Sequence, residues 1–212
     1  FNLEEAEKLQ YEIAKKVILV PLNKHPKIIA GVDVAFKIDE AVCVVVIMKY
    51  NDLSVLEEIV VKEKISIPYM PGYLSFREGP IIIKALERVK INPDVVLVDG
   101  QGIAHPRNAG IATHIGVIKG IVSIGCAKSK LVGKYKEPCL KKGCKSELIY
   151  KGKIIGMVLR TKDKVKPLFV SPGHLITLEE AVEIVLNCST KYRLPEPIRR
   201  ADFLSKQYKK LG

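Results

Sequence analysis

A short apolar run that ends in an acid and a glycine turn constrains this chain more than any other stretch. Val95–Val98 is aliphatic throughout, and Asp99 and Gly100 follow directly. Such a run is typical of a buried strand in an α/β sheet. Open α/β sheets bind ligands at the carboxyl ends of their strands, where Asp99 stands. We therefore expect the functional site here, although an Asp-Gly pair is also a common turn signal.

Two further polar side chains follow that turn. His105 could carry a proton near neutral pH, and Arg107 presents a planar fork of donors that suits a phosphate. The alternative is that Asp99 caps a turn and His105 packs in the interior. The density of Asp, Gln, His and Arg over this short stretch favours the first interpretation.

The charge of the chain favours a polyanionic partner. The 35 Lys and Arg residues exceed the 23 Asp and Glu residues by 12 charges. Nucleic acid is the usual partner of such a chain, a membrane surface is a rarer one, and a solvated lysine-rich surface is the alternative without function. No apolar stretch approaches the ~20 residues that a membrane span needs, and no secretory signal is visible. We expect a cytoplasmic monomer that does not bind membranes.

Apolar periodicity predicts an α/β chain with a mixed sheet. Three strands joined as hairpins come first, and later strands are separated by helices, so both antiparallel and parallel pairing are needed. The predicted strands are 27–36, 41–50, 54–65, 95–98, 121–125, 148–150, 153–159 and 168–170, and the predicted helices are 2–18, 81–90, 108–119 and 177–187. We treat residues 1–212 as one domain with a basic tail at 191–212.

Three acids are placed where they could share one site. Asp33 shares a strand face with the small residues Gly31 and Ala35, Glu78 precedes a predicted helix, and Asp99 ends a strand. Carboxylates converge only if cations hold them together, and oxygen ligands favour Mg²⁺ or Mn²⁺. On a basic protein this indicates phosphodiester hydrolysis. The alternatives are that Asp33 faces water on an edge strand and that Glu78 only complements a helix dipole.

Two other side chains suit a nucleic acid. Tyr69 is held between Pro68 and Pro71, so its ring could insert between bases, or it could simply pack. Lys128 follows the strand predicted at 121–125 and could reach a phosphate, or it could be solvated.

Five segments in order resemble the endonuclease V family. They are GVDVAF (31–36), PYMPGYLSFRE (68–78), DGQGIAHPRNAGIATHIGV (99–117), GCAKSKL (125–131) and SPGH (171–174). The resemblance covers about residues 1–205 and implies a ribonuclease H-like fold, which we expect as a mixed five-stranded sheet flanked by helices. It also implies a Mg²⁺-dependent enzyme that nicks DNA at the second phosphodiester 3′ of deoxyinosine, leaving 3′-hydroxyl and 5′-phosphate ends; Mn²⁺ should substitute.

The match is weak at 137–153, so Cys139 and Cys144 could be two thiols or a local disulfide.

The resemblance assigns roles to individual residues. A late acid, Asp202, could add a ligand for a second metal ion, or it could be a surface partner of nearby arginines. The implied metal ligands are Asp33, Glu78 and Asp99, with Tyr69 as a wedge and His105 and Lys128 near the scissile phosphate.

The base itself could be read by the backbone. Hypoxanthine lacks the exocyclic amine of guanine, so a pocket could select it sterically once it has left the stack. We expect the reading groups in loops that contain Gly72, Leu74, Gly100 and Gly125, although each glycine could serve only a turn. Arg107 and His174 are further candidates for substrate binding.

Two alternative functions remain open at this point. One is an inosine-specific endoribonuclease on the same scaffold, which would need a contact to the 2′-hydroxyl. The other is a nucleic-acid-binding protein without catalysis, which would bind through the basic tail and the Tyr69 loop.

Overall fold

A computed structural model describes residues 1–211 and gives five helices and eight strands within that range. The helices are α1 (Leu3–Lys15), α2 (Leu74–Leu86), α3 (Ile111–Lys119), α4 (Leu178–Asn187) and α5 (Glu196–Lys210). The strands are β1 (Ile28–Lys37), β2 (Glu40–Lys49), β3 (Val55–Lys64), β4 (Val95–Val98), β5 (Ser123–Ala127), β6 (Lys145–Tyr150), β7 (Lys153–Leu159) and β8 (Leu168–His174). All eight strands belong to one sheet in the order β3-β2-β1-β4-β5-β8-β7-β6.

The predicted α/β class and mixed sheet are confirmed, but the sheet has eight strands rather than five. The first five strands in the spatial order form the expected part, in which β1, β4 and β5 are parallel and β2 and β3 antiparallel. The antiparallel strands β8, β7 and β6 then extend the β5 edge. Their pairing with β5 covers a third apolar cluster that includes Leu148, Ile155 and Phe169.

Helices cover both faces of the sheet. Residues of α2 and α3 pack with Val32, Val96 and Val98 on one face. Residues of α4 and α5 pack with Val44 and Leu97 on the other. The candidate site residues on the strands therefore lie in a sheet that is covered by helices on both faces.

The segment predicted as a basic tail contains α5, whose buried face includes Ile198, Ala201 and Ser205. This helix packs against β1 where that strand has small residues. A side-chain carbon added at Gly31 would lie 2.1 Å from the backbone carbon of Pro197. Glycine at position 31 is thus required for the close approach of α5 to β1.

Two local predictions also change. Helix α2 begins at Leu74 rather than 81 and keeps Pro80 in its interior, so Glu78 lies within the helix. Cys139 and Cys144 form a disulfide with a Cα–Cα distance of 5.5 Å, while Cys43, Cys126 and Cys188 are buried free thiols. None of the helices within residues 1–211 has the length and apolar character needed to cross a membrane.

Candidate active site

Three carboxylates meet where β1, β4 and α5 come together. The last parallel pair between β1 and β4 is Val32 with Val98, so the next residue on each strand, Asp33 and Asp99, lies at the same edge. Helix α5 adds Asp202 from the adjoining face, and one oxygen from each acid lies within 4.8 Å of the others. The structure therefore brings Asp202 close to Asp33, as a metal ligand at that position would require.

Burial and mutual repulsion make this cluster unfavourable without a cation. Asp33 is buried, and burial together with the charge of Asp99 raises the pKa of its carboxyl to about 7. The Ser205 hydroxyl, which donates a hydrogen bond to Asp33 Oδ2, opposes this rise. Hard oxygen donors held together in this way fit a divalent cation, which would displace the protons.

Lys128 supplies positive charge at the centre of the cluster. Its Nζ lies 2.7 Å from Asp99 Oδ2 and 3.0 Å from Asp202 Oδ1. Partial burial alone would lower the pKa of the Lys128 ammonium, but the two carboxylates raise it above its usual value. Lys206 lies 2.8 Å from the other oxygen of Asp202, and together the two lysines keep the pKa of Asp202 low despite its partial burial.

Glu78 lies beside the cluster but not in it. Within residues 1–211 the group of carboxylate oxygens that could share one ion contains Asp33, Asp99 and Asp202 and leaves Glu78 out. Burial, and then the charges of Asp33 and Asp99, raise the pKa of Glu78 to about 8. The acid is thus near enough to sense the other two, and its role as a ligand stays a prediction.

A pocket of about 320 Å³ opens next to these acids. Its wall includes Asp99, Lys128 and Tyr69, which is 62% exposed. Leu74, Gly100 and His105 also line it. One cavity is therefore bordered by an exposed aromatic ring, a carboxylate and an ammonium.

Gly72 organises the loop that carries Tyr69. Its φ of +82° is left-handed, and its carbonyl accepts hydrogen bonds from Gln10, His105 and Arg107. Because this carbonyl already accepts three hydrogen bonds within the protein, it is a poor candidate for a hydrogen bond to a base. Burial lowers the pKa of His105 to about 4, so the ring is neutral and Nε2 donates to Gly72 while Nδ1 accepts from the Arg107 amide.

Arg107 does not project into the pocket. Its guanidinium hydrogen-bonds to Gln10 and the Gly72 carbonyl, pairs with Glu7 at 3.4 Å and lies over the Tyr73 ring. These contacts join α1 to the Tyr69 loop, so the side chain stabilises the wall of the pocket. In this arrangement the fork is not free to bind a phosphate.

Gly125 and His174 also lie elsewhere than expected. Gly125 is inside β5 rather than in a loop, and a side-chain carbon there would lie 2.1 Å from the Gly102 nitrogen. His174 pairs with Ser123 at the opposite end of β5 from the acids, and its Nδ1 accepts from the Ile18 amide. Because β8 runs antiparallel to β5, the end of β8 that carries His174 lies away from the three acids, which gives no support to a role in substrate binding.

Sequence reasoning missed Ser205 and Lys206, which act directly on the cluster. Both lie within four residues of Asp202 on α5, and the (i, i+4) spacing of Asp202 and Lys206 was a readable sign of a helix. The repetition of Ile198, Ala201, Leu204 and Ser205 was a second sign of an amphipathic helix.

Comparison with known proteins identifies relatives along nearly the whole chain. The Endonuclease V family model matches residues 11–203. Endonuclease V of Dictyoglomus thermophilum is 50% identical over 204 residues, which span 96% of this chain and 90% of that relative.

Two solved structures extend the comparison. The crystal structure of Endonuclease V from Streptomyces avermitilis superposes with a TM-score of 0.93 at 37% identity. The match covers 99% of this chain and 94% of the Streptomyces chain. A second structure is that of Endonuclease V from Ciona intestinalis in complex with a 23mer DNA containing an inosine followed by a ribo-adenosine. It superposes with a TM-score of 0.86 at 32% identity, and the match covers 99% of this chain and 97% of the Ciona chain. These likenesses confirm the predicted ribonuclease H-like fold, and the chain belongs to the endonuclease V family of nucleases.

Proposed function

We propose that this nuclease recognises deoxyinosine in DNA and hydrolyses the second phosphodiester 3′ of the lesion, leaving 3′-hydroxyl and 5′-phosphate ends. The observation that carries the proposal is that Asp99 belongs both to the carboxylate cluster and to the wall of the pocket. A base held in the pocket therefore brings the phosphodiesters of its own strand towards the carboxylates. The inosine-containing DNA bound by the Ciona relative supports the choice of base.

We propose Mg²⁺, with Mn²⁺ able to replace it, as the ion held by Asp33, Asp99 and Asp202, with Glu78 completing the acidic site. When bound, such an ion polarises the phosphate, activates water and stabilises the leaving oxygen. The ammonium of Lys128 adds a fixed positive charge that attracts the scissile phosphate. The neutral ring of His105 holds the loop at Gly72 and so keeps the pocket in shape.

We propose that this pocket also selects the base. Leu74 and Gly100 in its wall would exclude the exocyclic amine that guanine has and hypoxanthine lacks. A side-chain carbon at Gly100 would lie 2.4 Å from Ile111 Cγ2, so the backbone of this wall is packed from behind. Tyr69 at the opening can take the place of the extruded base in the stack, which offsets part of the cost of extrusion.

An inosine-specific endoribonuclease is the second candidate. The observation that favours it is the ribo-adenosine that follows the inosine in the nucleic acid bound by the Ciona relative. A ribonucleotide at that place puts a 2′-hydroxyl next to the bond to be cut, so the same site could accept RNA.

Four matched oligonucleotides test both candidates: DNA and RNA with one inosine, and the same two strands with adenine at that position. We expect cleavage of the inosine DNA in Mg²⁺, none after chelation, and a product that ends one nucleotide beyond the inosine. Preferential cleavage of the inosine RNA would establish the second candidate. Binding with no product in Mg²⁺ or Mn²⁺ would overturn both and leave a nucleic-acid-binding protein.

A further inference from the structure

We propose that a groove on the outer side of α5 is a stacking track for a single strand of the substrate as that strand passes the carboxylate cluster. The inference rests on the proposed function, because it assumes that a nucleic acid is bound at the cluster. It adds a binding surface, a class of ligand and the residues that would hold it.

The groove begins at the cluster itself. It has a volume of about 700 Å³, and Asp202 forms part of its wall. Asp202 is also one of the three acids of the cluster. A strand whose phosphodiester lies at the carboxylates therefore has a direct path into the groove.

Two exposed aromatic rings line this path. Phe203 is 54% exposed and Tyr192 is 50% exposed, and both border the groove. Single exposed apolar side chains are normal on protein surfaces. Two rings in one groove beside a phosphodiester site form a surface on which bases can stack without sequence preference.

The charge of the groove fits a polyanion. Its wall carries Arg193, Arg199, Lys206 and Lys210, and Asp202 is the one acid among the described residues that border it. Lys206 is paired with Asp202 and Arg199 with Glu196, so Arg193 and Lys210 are the cations of the groove without a carboxylate partner among the described residues. Grooves of this kind, with cations along the backbone path and rings for the bases, are typical of single-strand binding.

Arg199 links the two features. Its guanidinium lies 4.3 Å from the centre of the Tyr192 ring and is held there by a two-point contact with Glu196. The cation and the ring are therefore fixed in one unit, and the remaining donors of the guanidinium are available to a phosphate. Little side-chain entropy would be lost when a nucleotide binds to this unit.

The test measures dissociation constants for inosine DNA strands that are shortened stepwise from the 5′ side or from the 3′ side of the lesion. Wild type is compared with Phe203→Ala, Phe203→Leu and Phe203→Trp, and a thermal melt checks that each variant is folded. The exposure of Phe203 means that these changes leave the apolar core intact. Phe203→Leu keeps apolar area without a ring, whereas Phe203→Trp restores a ring.

We expect Phe203→Ala and Phe203→Leu to weaken binding of the long strands roughly 5- to 100-fold, and Phe203→Trp to bind like wild type. The defect should vanish when the strand is shortened on one side of the lesion only, because the track carries one side. An equal defect at all lengths, or no defect at any length, would overturn the proposal.

The wild-type enzyme separates this proposal from the proposed function. If wild type nicks inosine DNA and the Phe203 variants bind every length as wild type does, the track is wrong and the function stands. If wild type cuts no inosine strand, the function is wrong, and the same length series with undamaged single-stranded DNA still shows whether the groove binds a strand.

Discussion

The Ser205 hydroxyl donates a hydrogen bond of 2.6 Å to Asp33 Oδ2 and so joins α5 to β1 across 172 residues of sequence. Asp33 and Ser205 are both buried, so the hydrogen bond is shielded from solvent. The same hydroxyl lies 3.0 Å from the Asp202 carbonyl, which ties it to the turn of α5 that carries the third acid. Ser205 therefore fixes the distance between two of the three acids.

Ser205→Ala should lower metal affinity rather than abolish cleavage. Loss of the hydroxyl removes a hydrogen bond that stabilises the Asp33 carboxylate, so its pKa should rise further and metal should compete less well with the proton. Loss of such an outer contact typically costs about 10- to 100-fold in metal affinity. The measurement is the Mg²⁺ concentration at half-maximal single-turnover rate. Ser189→Ala is the matched control, since Ser189 is also buried and its hydroxyl donates to the Val185 carbonyl of α4, away from the acids. Equal midpoints for both variants would contradict the role of Ser205.

Lys128→Ala should affect the single-turnover rate, whereas Lys130→Ala should affect the salt dependence of binding. Lys128 bridges two carboxylates, whereas Lys130 borders the same pocket from an exposed position. We expect Lys128→Ala to lower the single-turnover rate with little effect on the salt dependence of binding. Lys130→Ala should leave the rate intact and reduce the slope of log affinity against log salt by about 0.9 if it pairs with one phosphate. An unchanged rate for Lys128→Ala would make Lys128 an ordinary solvated lysine.

Tyr69→Ala should weaken binding to inosine DNA by about 1–3 kcal/mol, the usual contribution of a ring that stacks on a base. Tyr69→Phe keeps the ring and should bind like wild type. The ring is exposed, so its loss should not affect folding. The measurement is the dissociation constant of each variant for an inosine-containing duplex and for an undamaged duplex. Equal losses of binding free energy on both duplexes would show that the ring only packs against the protein.

Stability should fall in acid because of His114. Burial lowers the pKa of this ring to about 4, and its Nδ1 has no hydrogen-bond partner among residues 1–211. The unfolded chain takes up the proton below its ordinary pKa of about 6.5, whereas the folded chain takes it up only near 4. The free energy of unfolding should therefore be unaffected above pH 6.5 and fall by up to about 3 kcal/mol as the pH drops from 6.5 towards 4.

Guanidinium unfolding of wild type and His114→Leu at pH 7.5, 5.5 and 4.5 isolates this contribution. Other groups titrate in both proteins, so the difference between the two curves belongs to His114. The variant should lose less stability than wild type between pH 7.5 and 4.5. Parallel curves would mean that the pKa of His114 is the same in the folded and the unfolded chain, which would contradict this prediction.

The sequence predicted the parts of the site that depend on local pattern. Alternation in β1 placed Asp33 on a definite face, and the apolar run of β4 placed Asp99 at the end of a strand. Parallel pairing of these two strands then follows from the fold class. Two of the three acids could therefore be placed from the chain alone.

The other features depend on contacts between distant segments. His174 lies away from the acids because β8 pairs with β5 in the antiparallel direction. The sequence of β8 alone does not reveal that direction. Helix α5 was missed because its buried face uses small residues such as Ala201 and Ser205, which give a weak apolar signal. Pro80 suggested that α2 begins after it, yet the helix continues through this residue, because packing on the sheet outweighs one lost hydrogen bond.

The central claim is that Asp33 within β1 and Asp99 directly after β4 hold the metal that drives hydrolysis. Its most direct test is the single-turnover rate of nicking by Asp99→Asn on an inosine duplex in saturating Mg²⁺, with the dissociation constant measured in parallel. The amide keeps the shape of the carboxylate and removes its charge, so we expect the rate to fall by at least about 10³-fold while binding changes little. Nicking at the wild-type rate by Asp99→Asn would contradict the account.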